Sequence, residues 1–300
     1  MKTLDSVIII NYKMQKLTID YVNNELSKLY DDLNIIIVNN EATPESNKEL
    51  QDNLDATIII DNELRMSSTN RYIIPSQENL GFARGNNLGA RFAIDILHSK
   101  YLLFSNNDIK IHTPDTFSKL KEKLESNSDI GLIGPKIIGL DGKPQSPAPY
   151  IPFLTKYVLM YISTPFLTKK KKQEIFKLNY AIKAKEGAHY KIMGSFMMIR
   201  AQDYLNCGMM DPNTFLYSEE VILSERLKRI NKIVYYFPAV TVTHAHGITT
   251  KQTTRQSFLN NIQLKSDQYY YKTYTNTPTW EIKFGSLFYK IICKLKTLKY

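Results

Sequence analysis

Short β-branched runs, each closed by an amide or a carboxylate and separated by helical patterns, constrain this chain more than any other feature. Ser6-Val7-Ile8-Ile9-Ile10-Asn11 and Asn34-Ile35-Ile36-Ile37-Val38-Asn39 have the near-continuous apolar character of strands buried inside a parallel sheet. Between them, Leu17 to Tyr30 repeats Leu17, Tyr21, Leu26 and Leu29 at roughly helical spacing. Asn40-Glu41-Ala42-Thr43-Pro44 reads as a turn into a helix with proline in its opening, Ala56 to Asp61 as a third strand, and Gly85 to Leu97 as a helix. Tyr101-Leu102-Leu103-Phe104-Ser105 is a further strand that runs into Asn106-Asn107-Asp108. This alternation predicts an α/β fold with a mostly parallel, Rossmann-like central sheet and helices on both faces. Ligands of such sheets bind beyond the carboxyl ends of the strands, which places Asn11, Asn39 and Asp108 on one rim.

The pattern changes downstream. Ile130-Gly131-Leu132-Ile133-Gly134 reads as a strand and Ile137 to Lys143 as a hairpin around Asp141-Gly142. Tyr190 to Arg200 is a strand, Ser218 to Ile230 an amphipathic helix, and Ile233 to Thr243 one or two strands. A segment rich in proline and lysine, from about Gln145 to His189, interrupts them. The 300 residues suit one large domain or two intimate ones: 1–115, 116–250 with the insertion, and a helical tail over 251–300.

Charge is segregated. The whole net charge of +10 lies in Lys169–Lys191, at +6, and Glu281–Tyr300, at +4, leaving the body neutral. A nucleic-acid binder spreads basic side chains over a folded face, so nucleic acid is not an expected partner. In the tail, Phe284, Leu287, Phe288, Ile291, Ile292, Leu295 and Leu298 recur at helical spacing, flanked by Lys290, Lys294 and Lys299. Such a helix suits an anionic membrane surface; the same periodicity also fits a helix docked on the body with its lysines outward. No run approaches the roughly 20 apolar residues that span a bilayer. Cys207 and Cys293 cannot build a disulfide framework, and the first apolar run is too short for a signal peptide. The expected location is cytoplasmic, peripheral on the inner face of the plasma membrane.

Four clusters could carry chemistry, and each alone also has an ordinary structural reading. Asn79 to Gly89 contains Asn79, Gly81, Arg84, Gly85 and Asn86; its glycines admit close approach of backbone to a ligand, and a loop entering a helix offers free N–H groups to an anion. Asn106-Asn107-Asp108 at a strand end can ligate a hard cation such as Mg2+ or Mn2+, or simply form a solvated turn. Ser218 is a fair N-cap, with Glu219 and Glu220 in the first helical turn; one of the two glutamates could be a general base. His244 and His246 alternate near a strand end, so both imidazoles can face one site if the strand continues.

In order along the chain, VIIINYK, NLGFARGNNLG, FSNND, IGPKI, MGSFMMIR, FLYSEEVILSERLKR and YYFPAVTVTHAHG resemble family 2 inverting glycosyltransferases of the GT-A fold. They look most like the bacterial rhamnosyltransferase-like subgroup that builds surface polysaccharides such as capsule and O-antigen. The resemblance implies a donor-binding half over 1–115, an acceptor and catalytic half over 116–250, and a divalent cation as cofactor. It places Asp108, with Asn106 and Asn107, in the metal and donor motif, and His244 and His246 near the metal. It puts Asn11 and Asn39 with the nucleotide, Asn79, Gly81, Arg84 and Asn86 in the loop lining the donor pocket, and the base at Glu220 or Glu219. The implied partners are a nucleotide-diphosphate sugar donor and a saccharide or lipid-linked saccharide acceptor. Asn39, Asn106 and Ile222 stand where relatives often carry acids, which leaves a non-catalytic nucleotide-sugar-binding or scaffolding role as the second reading.

Overall fold

The structure is a computed structural model that describes residues 4–60, 69–163, 166–176, 178–245 and 256–297. The strands are β1 (Asp5–Tyr12), β2 (Leu33–Asn40), β3 (Thr57–Ile58), β4 (Arg71–Pro75), β5 (Tyr101–Ser105), β6 (Ile109–Ile111), β7 (Ile130–Gly139), β8 (Gly187–His189), β9 (Phe196–Arg200) and β10 (Ile233–His244). The first helices are α1 (Gln15–Asp20), α2 (Pro44–Leu54), α3 (Gly81–Arg91) and α4 (Thr116–Glu125). In the insertion lie α5 (Met160–Ile162), α6 (Lys169–Ile175) and α7 (Tyr180–Lys183), then come α8 (Ala201–Asn206), α9 (Glu219–Arg229), α10 (Gln256–Tyr274) and α11 (Thr279–Thr297).

Among the described residues the strands join in one sheet, in the order β3-β4-β2-β1-β5-β9-β7-β10-β6, with β8 pairing the start of β10 on the same edge that β6 pairs at its end. β1 pairs in parallel with β2 and β5, whereas β9 is antiparallel to both β5 and β7, and β7 is parallel to β10. Two reversals restore direction, so the end of β10 at His244 lies on the same rim as the ends of β1, β2 and β5. Side chains alternate across the sheet. Val7, Ile9 and Ile37 pack with Leu26, Leu50, Phe117 and Leu120 on one face; Ile8, Ile36 and Val38 pack with Ala83, Phe92, Tyr204 and Leu227 on the other.

Several sequence expectations change. The expected third strand shrinks to the edge pair Thr57–Ile58, because β4, whose three apolar residues sit between Arg71 and Pro75, takes the inner place beside β2. α3 begins at Gly81 and not Gly85, since Asn79 Oδ1 accepts from Gly81 N at 3.0 Å and Gly81 itself, at φ 71°, makes the entry turn. Ile233–His244 is one strand with a register shift between Phe237 and Thr241.

The C-terminal helices do not fold back along the whole tail. Phe153, Tyr157, Ile222, Leu264, Tyr270, Tyr271 and Ile282 form a small third core that joins the insertion, α9, α10 and α11. α11 enters it through Ile282 and Gly285, and a Cβ on Gly285 would lie 2.8 Å from Phe153 Cε1. Its Trp280, Phe284, Leu287, Ile291 and Leu295 face outward. No helix among the described residues is long and apolar enough to cross a membrane.

Candidate active site

Buried amides tie the strand ends together. Asn11 Nδ2 donates to Asn39 Oδ1 at 2.7 Å, and Asn39 Nδ2 donates to Ser46 Oγ and Asn47 Oδ1 on α2 at 2.9 and 2.8 Å. Thr18 of α1 donates to Asn11 Oδ1 at 2.7 Å and accepts from Asn107 Nδ2 at 2.9 Å. This relay is uncharged and spends Asn11, Asn39 and Asn107 largely on one another, so they fix β1, β2 and the loop after β5. Beside Asn39 opens a cleft of 580 Å³ lined by Ala42, Pro44, Asn47, Pro75 and Gln77.

The glycine-rich segment splits into two functions. Gly85 and Gly89 let α3 lie close on the sheet: added Cβ atoms would come within 2.8 Å of Ile10 Cδ1 and 2.7 Å of Ile8 Cγ2. Asn86 is buried and donates to Phe82 O within its own helix at 3.0 Å. Arg84 is half-exposed, bonded to Leu80 O at 3.2 Å and within 3.4 Å of Glu78 Oε1. At the helix start, Phe82 N donates to Phe215 O at 3.0 Å, which docks this segment on the chain just before α9.

Asp108 and His244 meet across β6 and β10, where Ala245 N donates to Asp108 O at 3.0 Å. His244 Nδ1 and Gln145 Oε1 are 2.9 Å apart. His244 Nε2 lies 3.2 Å from Asp108 Oδ1 and 3.5 Å from Asn106 Nδ2. Asp108 Oδ1 is buried and makes no hydrogen bond. Asp108 and His244 bring a carboxylate and an imidazole together, a donor set that fits a Mg2+ or Mn2+ ion. Among the described residues no three His, Cys, Asp or Glu side chains gather as cation ligands, and His246 lies outside those residues.

Glu219 and Glu220 start α9 on the other side of a shared bend. Glu220 Oε1 accepts from Gly194 N at 3.1 Å, while the next residue, Ser195, accepts through its carbonyl from Asn106 N at 2.9 Å. The Asn106-Asn107-Asp108 loop and Glu220 therefore touch adjacent residues of one segment. Glu219 is buried, and burial, reinforced by the charge of Glu220, pushes its carboxyl up to about 8. Ser218 does not cap α9 as expected: it holds a left-handed conformation, and its Oγ donates to Asp267 at 2.6 Å. Of the six buried side-chain atoms without a hydrogen-bond partner among the described residues, four lie at this rim or its flanking turns: Asn40 Oδ1, Asp108 Oδ1, Ser195 Oγ and Glu219 Oε1. Buried polar atoms left unpaired by the protein mark a place where a ligand supplies the partners.

The sequence profile of Glycosyl transferase family 2 matches residues 6–204, two-thirds of the chain, which takes in Asn11, Asn39, Asp108 and Gly194 and stops short of Glu219, Glu220 and His244. The chain belongs to glycosyl transferase family 2. This family 2 protein is 29% identical over 216 residues to the low-salt glycan biosynthesis hexosyltransferase of Haloferax volcanii, spanning 68% of the chain and 64% of that relative. Its fold is similar to GalNAc-T7 with UDP, GalNAc and Mn2+, at a TM-score of 0.55 and 14% identity over 88% of this chain and 47% of that one. It is likewise similar to the mannosyltransferase PcManGT from Pyrobaculum calidifontis in complex with GDP-Man and Mn2+, at a TM-score of 0.53 and 10% identity over 96% of this chain and 74% of that one. At these identities the likeness speaks for the fold, an α/β GT-A architecture with a C-terminal helical region.

Sequence reasoning gave no part to Gln145, Thr18 or Asp267. Gln145 closes the Asp141-Gly142 hairpin, and only the return of that hairpin against β10 brings it to His244; nothing local in the sequence signals this contact.

Proposed function

We propose that this protein transfers a hexose or deoxyhexose from a nucleotide-diphosphate sugar to a hydroxyl of a saccharide acceptor, with inversion at the anomeric carbon. The observation that carries this reading is the set of unpaired buried atoms around the rim, in a chain of family 2. Residues 1–115 hold the donor, with the nucleoside in the cleft beside Asn39 and the diphosphate toward Asp108. Asp108 and His244 would hold a divalent cation, whose charge offsets that of the departing diphosphate. Glu220 is the base: it takes the proton of the acceptor hydroxyl, beside Glu219, whose carboxyl burial pushes up to about 8. Fixing donor and acceptor in line supplies much of the acceleration, and one displacement needs no covalent intermediate.

The acceptor we propose is lipid-linked, met by a protein held peripherally on the cytoplasmic membrane face. Support comes from the outward apolar stripe of α11, bordered by exposed Lys283, Lys290 and Lys294, and from the second basic segment in the insertion. The resemblance of the motifs from VIIINYK to YYFPAVTVTHAHG supports a pathway of surface polysaccharide assembly in the manner of the rhamnosyltransferase-like subgroup.

A thermal-shift panel of uridine, thymidine and guanosine diphosphate sugars, with and without Mn2+ or Mg2+, tests the donor half; a metal-dependent rise with one nucleotide class is the expected result. Transfer to a saccharide acceptor that disappears in Glu220→Gln while donor binding persists supports the enzyme. Donor binding with no turnover in the parent protein would make the chain a nucleotide-sugar-binding scaffold instead.

A further inference from the structure

The turn that presents the two glutamates is held from outside the catalytic half. Tyr217 and Ser218 are consecutive non-glycine residues with φ of 74° and 68°, a conformation that side-chain-bearing residues rarely adopt and that persists only when the surroundings impose it. What imposes it comes from α10. Asp267 is buried and accepts the Ser218 hydroxyl at Oδ1, 2.6 Å away, while Ser266 Oγ donates to Leu216 O at 2.8 Å. The other oxygen of Asp267, Oδ2, takes Lys156 Nζ and the Tyr157 hydroxyl, both from the insertion. Tyr157 in turn stacks edge-on against Tyr289 of α11, with ring centroids 5.0 Å apart. One buried carboxylate of α10 thus joins the insertion, and through Tyr157 α11, to the residue that precedes Glu219.

We propose that Asp267 is a positioning residue for the Glu219–Glu220 pair, holding Ser218 in its left-handed turn so that Glu220 meets the Gly194 bend, with Lys156 and Tyr157 as the anchor on its far side. This rests on the reading of Glu220 as the base. Asp267 touches neither donor nor acceptor in this arrangement; it acts through Ser218.

Two variants separate this role from plain stabilisation. Ser218→Gly removes the hydroxyl but suits a positive φ, so it should keep or raise Tm and yet lower kcat about tenfold, with affinity for uridine or guanosine diphosphate plus Mn2+ within about twofold of the parent. Asp267→Ala should lower kcat about as far, and the double variant no further, since both break one hold. Amide hydrogen exchange at Glu219 to Ile222 should quicken about tenfold in Asp267→Ala, a readout that needs no turnover. Wild-type kcat in Ser218→Gly, additive losses in the double variant, or unchanged exchange at these amides would overturn the proposal. A parent protein without transfer activity, paired with quickened exchange, would sink the assignment of Glu220 and leave the hold standing.

Discussion

Two glutamates adjacent in sequence are given different environments, and that difference can be measured. Glu219 keeps its proton to about 8 in the fold against 4.5 for an ordinary glutamate, because it is buried and lies beside the charge of Glu220. The folded state therefore binds the proton more tightly than the unfolded chain. Its contribution to stability is complete below the unfolded value of 4.5 and is lost as pH rises through about 8. Glu219→Gln, a mimic of the protonated acid, should flatten that part of the curve of Tm against pH and retain most activity. Glu220→Gln should cost about 10²- to 10⁴-fold in kcat. Gly194→Ala would bring a Cβ to 3.0 Å from Glu220 Cγ and Oε1. Only a side chain has to move, so we expect near-parental Tm with kcat reduced about tenfold, read from steady-state kinetics beside a melting curve. The sequence made the pair visible but could not divide their roles, since burial and the approach of Asp267 are set by chain far away. It likewise placed Asp108 and His244 and left out Gln145, whose contact depends on a hairpin's return.

At the scale of elements, α3 and α9 meet at Phe215, and their junction leaves no room. A Cβ on Gly81 would sit 2.1 Å from Phe215 O, and φ there is 71°. Gly81→Ala should cost about 2–4 kcal/mol by chemical denaturation, combining the left-handed penalty with overpacking. Gly89→Val should be destabilising for a different reason, pushing α3 off Ile8 and Val38, and should weaken donor binding through the displaced helix start. The buried strands and helices were legible from period and from β-branched runs. β4 was not, because three apolar residues between arginine and proline give too short a pattern, and its inner place is decided by pairing with β2. Ile222 shows the reverse case. Its apolar character looks like a lost acid when read alone, yet it is fully buried in the core shared with α10 and the insertion, where it anchors the helix.

Across the whole molecule, the neutral body and the basic, apolar periphery are distinct surfaces. We expect the protein to bind vesicles containing phosphatidylglycerol and to leave them as salt rises, because exposed charges are screened beyond about 8 Å at physiological ionic strength. Leu287→Glu with Ile291→Glu should abolish sedimentation with those vesicles while leaving Tm and donor binding near the parent, since both side chains are at least half exposed. Unchanged sedimentation would remove the membrane proposal and leave the transferase reading intact. Amphipathic periodicity announced α11, but its direction was not readable: Ile282 and Gly285, outside that stripe, took the inner face, and Phe284, Leu287, Ile291 and Leu295 were left outside. A catalyst carried on such a face searches in two dimensions. Its turnover would then follow how densely acceptors are packed in the surface it rides on, and diluting the lipid would slow it even at a fixed bulk concentration.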